Sequence, residues 1–374
     1  MKQHVTVVGQ TPPPLGGQAV MLQLMLDGTY TDVELHHVRM AFSKELAAVG
    51  RFQLDKIAEL GRVIVGVWAS RLRHRSTILY YPPSGPSKLP LARDVAILLA
   101  TRWLFPRTVF HFHASGLSAY LRTLPAPVRK VAMLALRRPS AAIRIAPSAP
   151  DEGRALGARL GFVVPNGIRG IDRSARSADA DEQVPSIVFM GLVNEGKGSM
   201  RVLETAARLR AAGRRFVVRM AGEIESPEYG ARLRAFIAEH DLEDSVEFVG
   251  VVSGRAKDEL FANASVFLFL TRFESETFPT VILEAMSAEV AVVASDWRGI
   301  PDMVENGTSG ILVPEGDPTA AAEAIARLFD DPGTRDRVAA AGRRRFEQRY
   351  TLGQYQSGLD QVFSRVATTV KENR

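Results

Sequence analysis

Short apolar runs recur along the first half of the chain. They are VTVVG at 5–9, VELHHV at 33–38, TILYYP at 77–82, TVFHFH at 108–113, AIRIAPS at 142–148 and GFVVPNG at 161–167. Helix-length segments such as 43–60 and 91–105 lie between them. The second half keeps the same rhythm. SIVFMG precedes a predicted helix over 199–212, FVVRMAG one near 227–240, VEFVG one near 255–263 and SVFLFLT one over 279–288, with VAVVAS and GILVPEGD following. Continuous apolar strands alternating with helices predict parallel sheets covered on both faces. The polar segment 169–184 has the composition of a linker. The expected fold is therefore α/β, with two Rossmann-like doubly wound domains facing across a cleft. The first spans 1–168, the linker 169–184 and the second 185–350, followed by a helical segment at 351–374. Ligands in such sheets bind at the carboxyl ends of the strands.

Composition narrows the setting. The chain has 374 residues and is 46% hydrophobic, enough for two sizeable cores. No apolar run reaches the 18 residues that a membrane span needs. The start, MKQHVTVVGQ, reads as a strand entering a glycine turn rather than a signal peptide. There is no cysteine, so disulfides and thiolate metal sites are excluded, and a cytoplasmic location is expected. The net charge of +6 is unevenly placed. Residues 1–168 carry 21 Lys or Arg against 9 Asp or Glu, and the remainder is net acidic. A basic half suits a phosphorylated substrate or an anionic membrane, and equally a merely solvated arginine-rich surface. No nucleic-acid recognition motif accompanies the charge, so no nucleic-acid partner is expected.

The densest chemistry lies in FESETFPTVILEAM, residues 273–286. Glu284 stands inside an apolar helical run, where an ionised group is costly unless something pairs with it. Pro279 suits the first helical turn, with Thr277 or Phe278 as cap. Free N–H groups at such a helix start form an anion site. Glu276 and Glu284, seven residues between them, suit neutral hydroxyls rather than a phosphate. A surface helix with Glu284 pointing outward is the plain alternative. Lys197 follows a strand in the glycine-bearing loop FMGLVNEGKGS, a phosphate-binding arrangement without Walker spacing. Gly16 and Gly17 follow the first strand, where backbone can approach a ligand. His111 and His113 alternate on a strand and so share a face, with His113 at the strand end. They suit ligand contact or a purely structural role. Asn166 and Gly167 sit in a turn at a strand end.

Taken in this order, the segments resemble the retaining family 4 glycosyltransferases of the two-Rossmann GT-B architecture. The resemblance covers nearly the whole chain. Its most specific parts are VVPNGI, the glycine-lysine loop at 191–198, the Glu-x7-Glu segment and RGIPDMVENGTSGILVPEGD at 298–317.

The resemblance implies a nucleotide-sugar donor and a sugar or lipid-linked acceptor, with transfer of the sugar under retention. Surface polysaccharide or glycolipid synthesis is the implied setting. Lys197 would neutralise the donor diphosphate after Gly191, and Glu276 would contact the transferred sugar. Glu284 would bind the ribose, and the amides of Thr277, Phe278 and Thr280 would cap phosphate or sugar. His113 would reach the sugar from the first domain, with Gly16 and Gly17 approaching the phosphate. His113, Lys197 and Glu276 form the expected catalytic set. Leu192 stands where many relatives carry Arg, which shifts the load onto Lys197 and the helix terminus, with Arg272 as a possible aid. No Asp or His ligand set lies near the phosphate loop, so no metal or other cofactor is expected. The segment 351–374 would cross back to the first domain, and the first half would make a peripheral contact with an anionic membrane. The alternatives are a nucleotide-sugar epimerase or phosphorylase on the same architecture, or a non-catalytic paralogue.

Overall fold

The computed structural model of the protein describes residues 2–13, 16–42, 55–177, 184–274 and 276–368. The chain divides into two compact units, Met1–Gly167 with Leu352–Arg374, and Ile168–Thr351.

The first unit is a sheet of six parallel strands. In chain order its elements are β1 (Gln3–Gly9), α1 (Gly17–Leu26), β2 (Val33–Arg39), α2 (Asp55–His74), β3 (Ile78–Tyr81), α3 (Lys88–Thr101), β4 (Arg107–Phe112), α4 (Leu117–Thr123), α5 (Ala126–Leu136), β5 (Ala141–Arg144), α6 (Glu152–Ala155) and β6 (Leu160–Val163). The strand order is β2-β1-β3-β4-β5-β6. Every residue of β3 and β4 is buried, because helices cover both faces of the central strands. On one face Leu79, Tyr81 and Phe110 pack with Val63, Val67, Leu98 and Leu136. On the other, Val5, Val7, Tyr80 and Val109 meet Met21 and Leu22 of α1. They also meet Tyr355, Leu359, Val362 and Phe363 of a helix from the far end of the chain, Leu352–Thr368. The chain order reverses between β1 and β3, so the ligand-binding switch point of this sheet lies there.

The helix expected over 43–60 differs from that reading. Its residues up to 54 lie outside the described ones, and α2 continues to His74. Gly61 and Gly66 do not stop it, because Val63 and Val67, one turn apart, are fully buried against the sheet.

The second unit comprises β7 (Ser186–Met190), α7 (Ser199–Ala211), β8 (Val217–Ala221), α8 (Pro227–Glu239), β9 (Val246–Gly250), α9 (Gly254–Ala262), β10 (Val266–Phe269), α10 (Thr280–Ser287), β11 (Ala291–Asp296), α11 (Ile300–Met303), β12 (Ile311–Pro314), α12 (Pro318–Asp330) and α13 (Pro332–Arg349). The helix Leu352–Thr368 is then α14. The order β12-β11-β10-β7-β8-β9 is that of a Rossmann sheet, with its switch point between β7 and β10. Helices α12 and α13 start after Asp317 and Asp331, whose side chains accept from the amides of Thr319 and Thr334. The described part of the polar 169–184 segment packs on this unit. The Ile171 amide donates to Ser287 Oγ, and Arg173 pairs with Glu289. Among the described residues no helix is long and apolar enough to cross a membrane.

Candidate active site

The loops after β7 and β10 leave the sheet on the two sides of its switch point, and hydrogen bonds stitch them together. The Arg272 amide donates to the Gly196 carbonyl at 2.9 Å. Thr271 Oγ1 donates to the same oxygen and accepts from the Phe273 amide. Gly198 ends the first loop with φ at +82°, and a Cβ there would stand 2.1 Å from the Leu270 carbonyl oxygen. Only glycine fits both demands. Asn194 holds the loop from inside. It accepts from the Lys197 amide and donates to Glu225, each at 2.9 Å. These contacts fix the backbone on which Lys197 stands.

Lys197 Nζ donates to Glu276 Oε2. The ammonium also lies 5.1 Å from the Phe273 ring centroid, a cation–π distance. Glu276 is buried, its side chain 10% exposed, so without Lys197 its charge would be uncompensated. Thr277 and Phe278 are buried beside it. Helix α10 then starts at Thr280, with Pro279 as its N-cap residue rather than inside the first turn. Neither Thr277 nor Phe278 is the cap. The shift by one residue leaves the Thr280 and Val281 amides at positions that have no intrahelical acceptor.

Glu284 does not point freely into solvent. Its Oε1 accepts from Lys257 Nζ of α9 at 2.7 Å, and its side chain is 15% exposed. Lys257 therefore offsets the charge on an otherwise apolar helix. Arg272, the expected aid to Lys197, is bound to Glu315 at 2.8 Å on the exposed side of its loop. Leu192 is partly exposed and carries no charge.

In the first unit, Gly16 is the N-cap of α1, and Gly17 is its first residue with open space where a Cβ would stand. This helix follows β1, at the switch point of its sheet. His113 follows β4, and its ring lies 4.0 Å from that of His111, so the two do share a face. The Tyr80 hydroxyl and His111 Nδ1 share a hydrogen bond at 2.6 Å. Both ring nitrogens of His113 are buried with no hydrogen-bond partner among the described residues. Burial pushes the His113 imidazole down to about 4, so it is neutral at physiological pH. Asn166, after β6, is also buried, with its Oδ1 unpartnered among the described residues.

Residues 171–345 match the family model described as glycosyl transferases group 1. This match lies within the second unit, Ile168–Thr351. Curated relatives include an alpha-D-kanosaminyltransferase from Streptomyces kanamyceticus, 29% identical over 55% of this chain and 55% of that protein. Another is a putative colanic acid biosynthesis glycosyltransferase of Salmonella typhimurium, 32% identical over 41% of this chain and 38% of that one. The chain thus spans about half or less of the length of these relatives. Among solved structures, Anabaena Alr3699/HepE in complex with UDP-glucose superposes with a TM-score of 0.72 at 17% identity, covering 98% of this chain and 99% of that one. At that identity the match establishes the fold, which is GT-B.

Within the second unit, three supporting residues escaped the sequence reading. Lys257 is 27 residues from Glu284, on a different helix, and no local pattern links the two. Asn194 looked like an ordinary loop residue, and Glu225 lies in a different loop. Glu276 and Glu284 each have their own lysine, of which the Glu-x7-Glu spacing carries no sign.

Proposed function

We propose that the protein transfers a sugar from a nucleotide-sugar donor to an acceptor, with retention at the anomeric carbon. The observation that carries this reading is the Lys197–Glu276 pair at the β7/β10 switch point. The ammonium has three donors, so it can serve a phosphate oxygen while Glu276 turns to sugar hydroxyls. The Thr280 amide and the positive end of α10 face the same charge. As the glycosidic C–O bond breaks, negative charge grows on the leaving diphosphate, and these preorganised donors stabilise it. The chain offers no dedicated carboxylate nucleophile in this reading, so the acceptor oxygen attacks from the face the diphosphate leaves and passes its proton to the departing phosphate. Glu284 takes the ribose hydroxyls, with Lys257 holding its carboxylate in place. His113, neutral and without a hydrogen-bond partner among the described residues, takes a hydroxyl of the transferred sugar. Gly17 lets backbone come close to phosphate.

The acceptor we assign is lipid-linked, presented at the inner face of the cell membrane. Helices α2 and α5 support this, since each leaves apolar side chains in solvent: Val65, Trp68 and Leu72 on one, Val131 and Leu134 on the other. Trp103, 67% exposed, stands edge-on to Trp68. Beside them Arg102, Arg137, Arg138 and Arg159 line a cavity of about 510 Å³ with no carboxylate among the described residues of its wall. Apolar and basic groups side by side suit the surface of an anionic bilayer. One relative, of Mycobacterium leprae, is a phosphatidyl-myo-inositol mannosyltransferase, 33% identical over 34% of this chain, and its name fits such an acceptor.

A panel of nucleotides and nucleotide sugars, read by thermal shift, tests the donor reading. At least one is expected to raise the melting temperature by linkage, and the rise is expected to vanish in Lys197→Ala. No shift with any of them would sink it. Turnover is expected to survive EDTA, because Lys197 and the helix terminus carry the charge. Loss restored by magnesium or manganese would put a metal in this site instead. Sedimentation with vesicles tests the membrane contact. Binding is expected to require anionic lipid, to fall with salt and to weaken in Trp103→Ser. Equal recovery in the supernatant with neutral and anionic vesicles at low salt would leave a soluble acceptor.

A further inference from the structure

Three histidines and one glutamate meet at the opposite end of the first sheet from Gly17 and His113. His4 is the second residue of β1, and its register partner on β2 is Glu34. His36 stands two residues further along β2, so it shares a face with Glu34. His74, the last residue of α2, stacks on His36 with ring centroids 3.6 Å apart. Helix α2 is held on that face by a hydrogen bond between Ser70 and Thr6. Four polar side chains from three elements thus converge where an apolar contact would have served packing.

Their donor atoms are aimed at one another. His4 Nδ1 and His36 Nε2 are 2.9 Å apart. Glu34 places one carboxylate oxygen 3.7 Å from His4 Nδ1 and the other 3.9 Å from His36 Nε2. Ligands at 2.0–2.1 Å around a tetrahedral ion stand roughly 3.3–3.4 Å apart, and the observed separations bracket that value. We propose that His4, Glu34 and His36 form a binding site for a divalent transition metal of the zinc type, with solvent in the remaining position.

Two imidazoles and a carboxylate are a borderline-soft donor set that suits zinc or cobalt over magnesium or calcium. Without metal, the two ring nitrogens share one proton. For both to ligate, that proton moves to the other nitrogen of its own ring, and two metal–nitrogen bonds replace the hydrogen bond. The His74 ring fixes the plane of His36 from behind. Glu34 is 58% exposed and His4 36%, so an ion has a path in. The site lies at the amino-terminal ends of β1 and β2, so the metal takes no part in the sugar transfer proposed above. It ties the edge strand β2 to β1 and to the end of α2.

Cobalt(II) titration of the full chain, free of any histidine tag, tests this. One equivalent is expected to bind with visible absorption of a low-coordinate nitrogen–oxygen site, and zinc is expected to displace it and raise the melting temperature. Affinity is expected to fall at least about tenfold in His36→Ala and in the exposed Glu34→Gln, and not in His240→Ala. Glu34→Gln keeps the test valid should the histidine variant fold poorly. Absence of a cobalt spectrum in the wild-type protein, or an unchanged one in Glu34→Gln and His36→Ala together, would overturn the site.

Discussion

Glu284 and Lys257 illustrate how one residue can be read for two roles. The lysine offsets the carboxylate charge on α10, so the pair has a structural role of its own. Both ends keep contact with water, however, and a pair of that kind adds little stability, about 0–1 kcal/mol. Glu284→Gln is therefore expected to leave the urea midpoint nearly unchanged. If the carboxylate also binds ribose hydroxyls, donor affinity should fall by about 1.5–3 kcal/mol, roughly ten- to hundredfold. Calorimetry with the donor and a urea titration separate the two roles; equal donor affinity would leave Glu284 with Lys257 alone. His113 makes a different prediction, through pH. Its folded value of about 4 lies below the unfolded value near 6.5. Between those limits the unfolded chain binds more protons, so stability must fall as pH drops from about 6.5 toward 4 and level off below. The contribution is on the order of 3 kcal/mol. His111, pushed well below its usual range by burial and then by His113, adds to the same trend. Urea midpoints measured from pH 7 to 4 are expected to decline, and to decline less steeply in His113→Asn.

At the scale of elements, the loop after β7 depends on two places where backbone meets backbone. Gly198 abuts Leu270, and a Cβ on Gly222 would stand 1.8 Å from the Gly191 carbonyl oxygen. Neither obstacle is a side chain that can swing aside. Gly198→Ala is expected to cost more than the roughly 1 kcal/mol of an ordinary glycine exchange and to displace Lys197, weakening donor binding beyond the loss in stability. A variant as stable as the wild type would show that the loop is free to shift. The same loop shows what a sequence can reveal. Its strand, its glycines and its lysine form a compact local signal, and so do the apolar runs of all twelve strands. The central runs were legible because buried parallel strands have little room for polar residues, whereas β2, β6 and β9 are only half-buried and stood out as short runs rich in valine, leucine and phenylalanine. Helix α13 was not, since Val338, Ala339, Gly342 and Phe346 are its only buried residues among many arginines. The N-terminal cap of α10 was missed by a residue because proline fits both the N-cap and the first turn. Pairings between elements, such as Lys257 with Glu284 or His4 with His36, leave no periodic trace at all.

The whole molecule is not folded in the order in which it is written. The second unit is one continuous stretch, Ile168–Thr351, whereas the first requires both ends of the chain. Helix α14 supplies Tyr355, Leu359, Val362, Phe363 and Val366 to one face of the first sheet, all of them buried. Burying each such side chain contributes about 1.5–3 kcal/mol, so the five together are comparable with the entire 5–15 kcal/mol that holds a typical domain. A chain ending at Thr351 is therefore expected to lose the first unit and keep the second. In the truncated protein, hydrogen exchange should show β1, β3 and β4 unprotected, while β7, β10 and α10 stay protected. Residues 168–351 expressed alone are expected to fold. Because Lys197, Glu276, Glu284 and Lys257 all lie within them, they should still bind free nucleotide while turning over no donor. Add-back of 1–167 alone should not restore turnover, for it still lacks α14, whereas a permuted chain running from 352–374 through a short linker into 1–167 should fold without the second unit. Protection of β3 and β4 in the chain that ends at Thr351 would show that α14 only caps a sheet already stable, and that the first unit folds before the chain is complete.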